Sequence, residues 1–200
     1  LVPGFGDTVF DVSVGYDLKG VKSPRVRAFL DAMKDAEAVV ERLRLELPPS
    51  PSRWRDLDFT TRLSKSVTLS TFHGCPPGEI EGIARHIMEE LGLACVIKLN
   101  PTLLGAAETR RLLGDVLGYA DIRVPDEAFA KDARWEEVGG FVGRLSARAK
   151  ELGVGFGVKF TNTLVTENPG DFLPAAEKTR YLSGPPLHVL AIQLVHRFRQ

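Results

Sequence analysis

An α/β fold of the TIM-type (β/α) barrel kind, short of its full strand count, follows from three features of this 200-residue sequence. Amphipathic helical segments recur along the chain, short alternating segments stand between them, and one side of each alternating segment is small or polar. Strand and helix in alternation argue for a parallel sheet with helices against it. In a closed barrel the small, polar side points inward, where bulky Val, Ile and Leu normally pack. The pattern therefore predicts a roomy polar cavity. An open antiparallel sheet with one solvated face is the competing reading.

The first strand is expected over 9–16, with Phe10, Val12 and Val14 opposing Asp11, Ser13 and Gly15. Ser23-Pro24 then supplies an N-cap and first-turn pair, and Val26, Phe29, Leu30, Met33, Val40 and Leu43 fall on one helical side, predicting one helix to about Leu47. A Pro/Ser-rich connector at 48–52 joins two patterned halves of what reads as one partial barrel domain over 1–200. The second strand, 66–72, sets Val67 and Leu69 against Ser66, Thr68 and Ser70. A helix begins near Pro77, carries Glu79 and Glu81 in its first turn, runs through Ile80, Ile83, Ile87 and Leu91, and stops at Gly92. Strand 94–100 and a helix over 106–117 follow. A helix over 134–152, strand 154–161 and a helix after Pro185 complete the pattern.

Composition narrows the function. The chain is 44% hydrophobic and 26% charged, which excludes global disorder, and its 26 basic residues balance its 26 acidic ones. No net field draws it to nucleic acid or an anionic membrane, so the expected partner is a small molecule or another protein. Cys75 and Cys95 cannot supply the four thiolates of an iron–sulfur cluster. No apolar run reaches the roughly 18 residues of a membrane span, and the start lacks a signal peptide, so a reducing cytoplasm is the expected location. A chain without an initial Met that stops just after an amphipathic stretch reads as an excerpt of something longer.

Several residues can carry chemistry. Cys75 lies past a strand's carboxyl end and before a helix N-terminus, where barrel enzymes keep working residues and where the helix dipole favours a thiolate. Inert packing is the alternative, and Cys95, on an apolar strand face, keeps that reading. Lys98 is a charge on the inward face of a hydrophobic strand, so it needs an anionic or electron-rich partner, either a ligand or a salt bridge, for example to Asp11. Lys159 raises the same question beside Gly153, Gly155 and Gly157, whose missing side chains clear space for a ligand or a neighbouring backbone. Asn162, Thr163, Ser183 and Gly184 either hold a planar heterocycle or make ordinary turns and caps. The four histidines show no ligand spacing, and no metal is expected.

Cys75-Pro76, Val96-Ile97-Lys98-Leu99-Asn100-Pro101, Thr161-Asn162-Thr163 and Leu182-Ser183-Gly184-Pro185 occur in an order that resembles the FMN barrel of dihydroorotate and dihydropyrimidine dehydrogenases. More closely, Val12-Ser13-Val14-Gly15-Tyr16-Asp17-Leu18, Ser70-Thr71-Phe72-His73-Gly74-Cys75-Pro76-Pro77 and Lys98-Leu99-Asn100-Pro101-Thr102-Leu103-Leu104-Gly105 resemble the selenate reductase subunit family, large flavin and iron–sulfur proteins. The resemblance implies a flavin-dependent oxidoreductase in which Cys75 exchanges a proton with substrate and Lys98 stabilises the reduced flavin's anion. It further implies cofactor contacts from Asn100, Asn162, Thr163, Ser183 and Gly184, with Lys159, Asp11 and Ser70 as additional candidates. FMN is implied for the complete barrel, with FAD, iron–sulfur clusters and electron-transfer domains in other parts of a parent chain.

Two departures stand out. Phe72 replaces the asparagine with which the dehydrogenases read a pyrimidine, so a pyrimidine substrate is not expected. Four or five strands fall short of the eight, in about 250 residues, of a complete barrel. Two other functions compete with the oxidoreductase: a cofactor-free scaffold barrel that docks electron-transfer domains, and an aldolase-type lyase forming a Schiff base at Lys98 or Lys159.

Overall fold

The computed structural model describes residues 10–48, 55–70, 75–170 and 173–200. Strands β1 (Asp11–Val14), β2 (Ser66–Ser70), β3 (Ala94–Leu99) and β4 (Phe156–Phe160) form one parallel sheet in the order β1-β2-β3-β4. Parallel pairing overrides the open antiparallel alternative. Neighbouring strands are joined by helical crossovers, and the sheet as described is open, half the strand count of a closed (β/α) barrel.

Among the described residues, eight α-helices accompany the strands: α1 (Leu18–Val21), α2 (Pro24–Lys34), α3 (Glu37–Glu46), α4 (Pro77–Arg85), α5 (Ala106–Arg111), α6 (Asp126–Lys131), α7 (Trp135–Leu152) and α8 (Pro185–Phe198). Helix α4 runs on as a π-helical turn, His86–Glu90, and α5 as another, Leu112–Val116. The apolar side of the sheet meets the helices. Val67, Leu69, Cys95 and Ile97 are wholly enclosed there, with Ile83, Phe141 and Leu145 packed from α4 and α7. Arg144 Nη2 at 2.6 Å from Glu81 and Arg148 Nε at 2.7 Å from Glu89 tie α7 to α4 across the surface. Hydrogen bonding from Arg144 holds the Glu81 carboxyl below its ordinary range.

Three expectations change. The helix expected from Pro24 to Leu47 is two, because Asp35 is extended (φ −144°, ψ 102°) and caps α2. The break is held by the 55–65 segment: Ala36 N–H donates to Thr61 O at 2.7 Å, while Leu63 and Ser64 N–H groups donate to Met33 O at 3.2 and 2.9 Å. Backbone pairing there outweighs the continuous helical phase of the side chains. Second, an antiparallel hairpin, β5 (Leu164–Glu167) with β6 (Thr179–Leu182), and the short α6 were not expected. Third, β1 and β4 are shorter than expected at both ends, while β2 and β3 begin where expected and β3 stops one residue early; the expected end of β2 at 71–72, including Phe72, with His73 beyond it, lies outside the described residues, as does most of the 48–52 connector.

Packing makes unequal demands on leucines. Leu145→Ala empties a fully enclosed site and is expected to cost about 2–5 kcal/mol, whereas Leu45→Ala, at an 84% exposed position, stays within about 0.5 kcal/mol, both read by urea unfolding. Equal losses would contradict this assignment of the core.

Candidate functional site

The register sorts the other side of the sheet into rows. Asp11, Ser66 and Ala94 form the lowest, Ser13, Thr68, Val96 and Gly157 the next, and Ser70, Lys98 and Lys159 the third. Gly15 adjoins the third row, since a Cβ there would lie 3.6 Å from Ser70 Cβ. This wall is small and hydroxyl-rich: Ser13 Oγ lies 3.0 Å from Ser70 Oγ. Lys98 and Lys159 are direct neighbours on adjacent strands, about 4.8 Å apart along the backbone and on one face. Glycines at 155 and 157 also have a steric reason. A Cβ at Gly155 would meet Ala94 Cβ at 3.1 Å, so that strand approaches its neighbour more closely than a side chain allows.

Asp11 stands apart from the lysines. Its carboxylate accepts from Ser66 Oγ at 2.7 Å and from Thr68 Oγ1, at the amino end of β1 and four residues, about 13 Å, below the row of Lys98. The salt bridge from Lys98 to Asp11 offered by the sequence is not formed. Residues at the amino ends of barrel strands serve stability, and Asp11 fits that role through its two hydroxyl partners.

One step past the lysines, Asn100 and Thr161 follow the ends of β3 and β4. Asn100 Oδ1 and Thr161 Oγ1 are buried with no hydrogen-bond partner among the described residues, a costly state for polar atoms. Asn162 extends the pairing, its N–H donating to Leu99 O at 2.7 Å, and its Oδ1 accepts from the Thr163 N–H at 3.0 Å. That bond is the turn-making role. Gly184 (φ 83°) is the N-cap of α8, beside exposed Ser183, so this pair also shapes a turn. Thr161 was not singled out from the sequence as a site residue, although the every-second-residue series Gly155, Gly157, Lys159, Thr161 carries the signal.

Cys75 departs most from expectation. It is 3% exposed and borders a void of about 10 Å³ with Ile80, Leu99, Asn100, Leu103, Asp132 and Val138, among the core residues between sheet and helices. Leu99 points to the helices, whereas Lys98 belongs to the opposite, polar wall. Among the described residues, Lys98 does not line the void beside the thiol. Nor is the thiol activated: burial, with a smaller contribution from the Glu79 charge, pushes Cys75 up to about 12. Desolvation outweighs the helix dipole. Burial does the same to Cys95, likewise pushed up to about 12.

Away from this wall, an apolar groove of about 480 Å³ runs between α3 and the segment carrying Phe59 and Leu63. Among the described residues no three His, Cys, Asp or Glu side chains converge as a metal set, and no helix is long and apolar enough to cross a membrane.

Both thiols ionise in the unfolded chain near pH 9 but only near 12 when folded, so their stabilisation is complete below about pH 9 and falls as pH rises toward 12. Unfolding free energy is expected to drop by at most roughly 1.4 kcal/mol per pH unit per thiol in that window. A Cys75→Ala chain should show a shallower slope; an identical slope would contradict the burial of Cys75.

A family model described as "Oxidoreductase YgfK, N-terminal TIM-barrel domain" matches residues 3–200. Two curated relatives, each named "Putative oxidoreductase YgfK", from Escherichia coli strain K12 and from Escherichia coli O157:H7, are 40% identical over 205 residues covering 93% of this chain. The chain spans about a fifth of their length, 20%. No solved structure matches. The parallel sheet, its helical crossovers and a match over nearly every residue agree: the chain belongs to the YgfK N-terminal TIM-barrel family of oxidoreductases.

Proposed function

We propose that this domain is the barrel portion of a flavin-dependent oxidoreductase, dihydropyrimidine-dehydrogenase-like and of the selenate reductase subunit type, with FMN against the polar wall and Lys98 beside it. The observation that carries the reading is the row Ser70, Lys98, Lys159, standing above rows with glycine or alanine at one or more positions. A wall without bulk leaves room for a flat ring, and a cation on an interior strand suits a ring that gains negative charge on reduction.

The residues present fit the group. Thr161 Oγ1 is buried without a partner at the carboxyl end of β4, a polar atom that a ring heteroatom can satisfy. Lys98 and Thr161 would hold the ring from the strand ends, with Ser70 and Ser13 supplying hydroxyls along the wall; Asn162, Thr163, Ser183 and Gly184 would shape the loops around it. When bound, flavin supplies hydride transfer. The chain's own contribution is a fixed positive charge at Lys98 and a surface without competing carboxylates in that row. FAD, iron–sulfur clusters and electron-transfer domains belong, in this reading, to the rest of a longer polypeptide, and the substrate is a small molecule.

Cys75 enters as proton donor or acceptor through the resemblance alone. Its thiol keeps its proton at neutral pH, as a donor must, but it is enclosed by core residues. That enclosure favours a second reading, a cofactor-free scaffold barrel docking electron-transfer domains.

Flavin released by acid from the purified full-length protein separates the two readings. One FMN per chain, distinguishable from FAD by chromatography, is expected in the wild type, and Lys98→Gln should lower FMN affinity by about tenfold or more. Absence of FMN from the wild type would overturn the flavin reading and leave the scaffold.

A further inference from the structure

We propose that the cleft at the amino ends of β2, β3 and β4 is a second ligand site, which takes a phosphate-type anion of two or more negative charges. The cleft holds about 360 Å³, and its lining brings together Lys34, Arg62 and Lys65 with no Asp or Glu among the described residues. Lys34 ends α2, Arg62 and Lys65 lead into β2, and Gly92, Gly153 and Gly155 form the floor before β3 and β4. Ala94, which also lines the cleft, stands four residues, about 13 Å, before Lys98, so this site is at the other end of the strands and does not depend on the flavin reading.

One of the three cations has a structural use. Lys34 Nζ donates at 2.6 Å to Leu91 O, at the carboxyl end of the helical run that starts with α4, where the helix dipole favours a cation. Arg62 and Lys65 have no such use: both are exposed, and neither side chain has a hydrogen bond or ion pair to any described residue. Their backbone is nonetheless fixed, since Ser64 N–H donates to Met33 O at 2.9 Å and Ala94 N–H to Lys65 O at 3.0 Å. Carboxylates on the flanking elements are engaged elsewhere, Asp31 with Arg27, Asp35 with the Glu37 N–H, Glu151 with Arg148, and Asp11 with Ser66 and Thr68. At the end of α7, the Ala149 and Lys150 carbonyls accept from the Val154 and Gly153 N–H groups, which covers acceptors that would repel an anion. Scattered surface cations are simply solvated. These face one concave space, and a cleft of a single charge sign concentrates its field on an ion of the opposite sign. Arg62 brings a planar fork and Lys65 a point charge, both of which phosphate oxygens accept from. A Cβ at Gly92 or Gly153 would meet nothing within 4 Å, so the floor leaves space for the ion. Amino ends of barrel strands serve stability rather than catalysis, so the role is binding, not turnover.

The test is a calorimetric titration of the full-length protein with inorganic phosphate, pyrophosphate and ADP, at an ionic strength held constant with chloride. Saturable binding of pyrophosphate is expected. ADP binding at least as tight assigns the site to a nucleotide, and weaker ADP binding assigns it to the free anion. Arg62→Gln combined with Lys65→Gln should weaken pyrophosphate about tenfold or more, and Lys65→Arg should stay within about threefold. Lys19→Gln, which removes an exposed and unpartnered cation of α1, should leave the affinity unchanged. No pyrophosphate binding by the wild type, binding that the double variant keeps, or an equal loss in Lys19→Gln would overturn the proposal. FMN content should be equal in all four proteins. A wild type lacking FMN that shows this binding pattern keeps the anion site and discards the flavin reading alone.

Discussion

The parity of side chains along four parallel strands governs the rest of the structure. Because successive residues point to opposite faces and the register pairs like with like, Val67, Leu69, Cys95 and Ile97 gather against the helices while Ser13, Thr68, Ser70, Lys98 and Lys159 gather on the other wall. A slip of one residue in any strand would bury a lysine or a serine row under α4 and α7. Burial of the apolar set therefore fixes where the polar set stands, and through it the position of both cations. Folding energetics and site geometry are one constraint here.

That constraint also explains why the cysteine and the lysine part company. Lys98 is placed by strand parity, which is rigid. Cys75 is placed by the turn into α4, where Ile80 on the first turn pulls the segment onto the core and Leu99, Leu103 and Val138 close around the thiol. A thiol in apolar surroundings keeps its proton, so the same packing that stabilises the start of α4 removes the thiolate that the helix dipole alone would favour.

Much of the fold was legible in the sequence because periodicity reports burial. The alternation in 94–99 and 156–160 identified both faces correctly, and Gly92, where φ is 64°, reads as a helix end. Less legible were features set by distant backbone. The break at Asp35 depends on Thr61 and Met33 meeting across sequence, which no helical pattern encodes. The hairpin of β5 and β6 joins segments separated by 11 residues, 168 to 178, too many for a two-residue turn signal to announce the pairing. In the candidate site, the two lysines and the small wall were readable from period-two spacing; the enclosure of Cys75 and the unpartnered Thr161 hydroxyl were not, because both depend on which elements close over them.

The shared face of residues 98 and 159 is open to a direct measurement. In a chain whose two native cysteines are replaced by alanine, Lys98→Cys with Lys159→Cys sets two thiols on neighbouring strands at a backbone separation of about 5 Å, within disulfide reach. Mild oxidation is predicted to cross-link this pair nearly completely, and to leave Lys98→Cys with Val158→Cys, on opposite faces, uncrosslinked. Cross-linking of the second pair, or none in the first, would contradict the common wall on which the account stands.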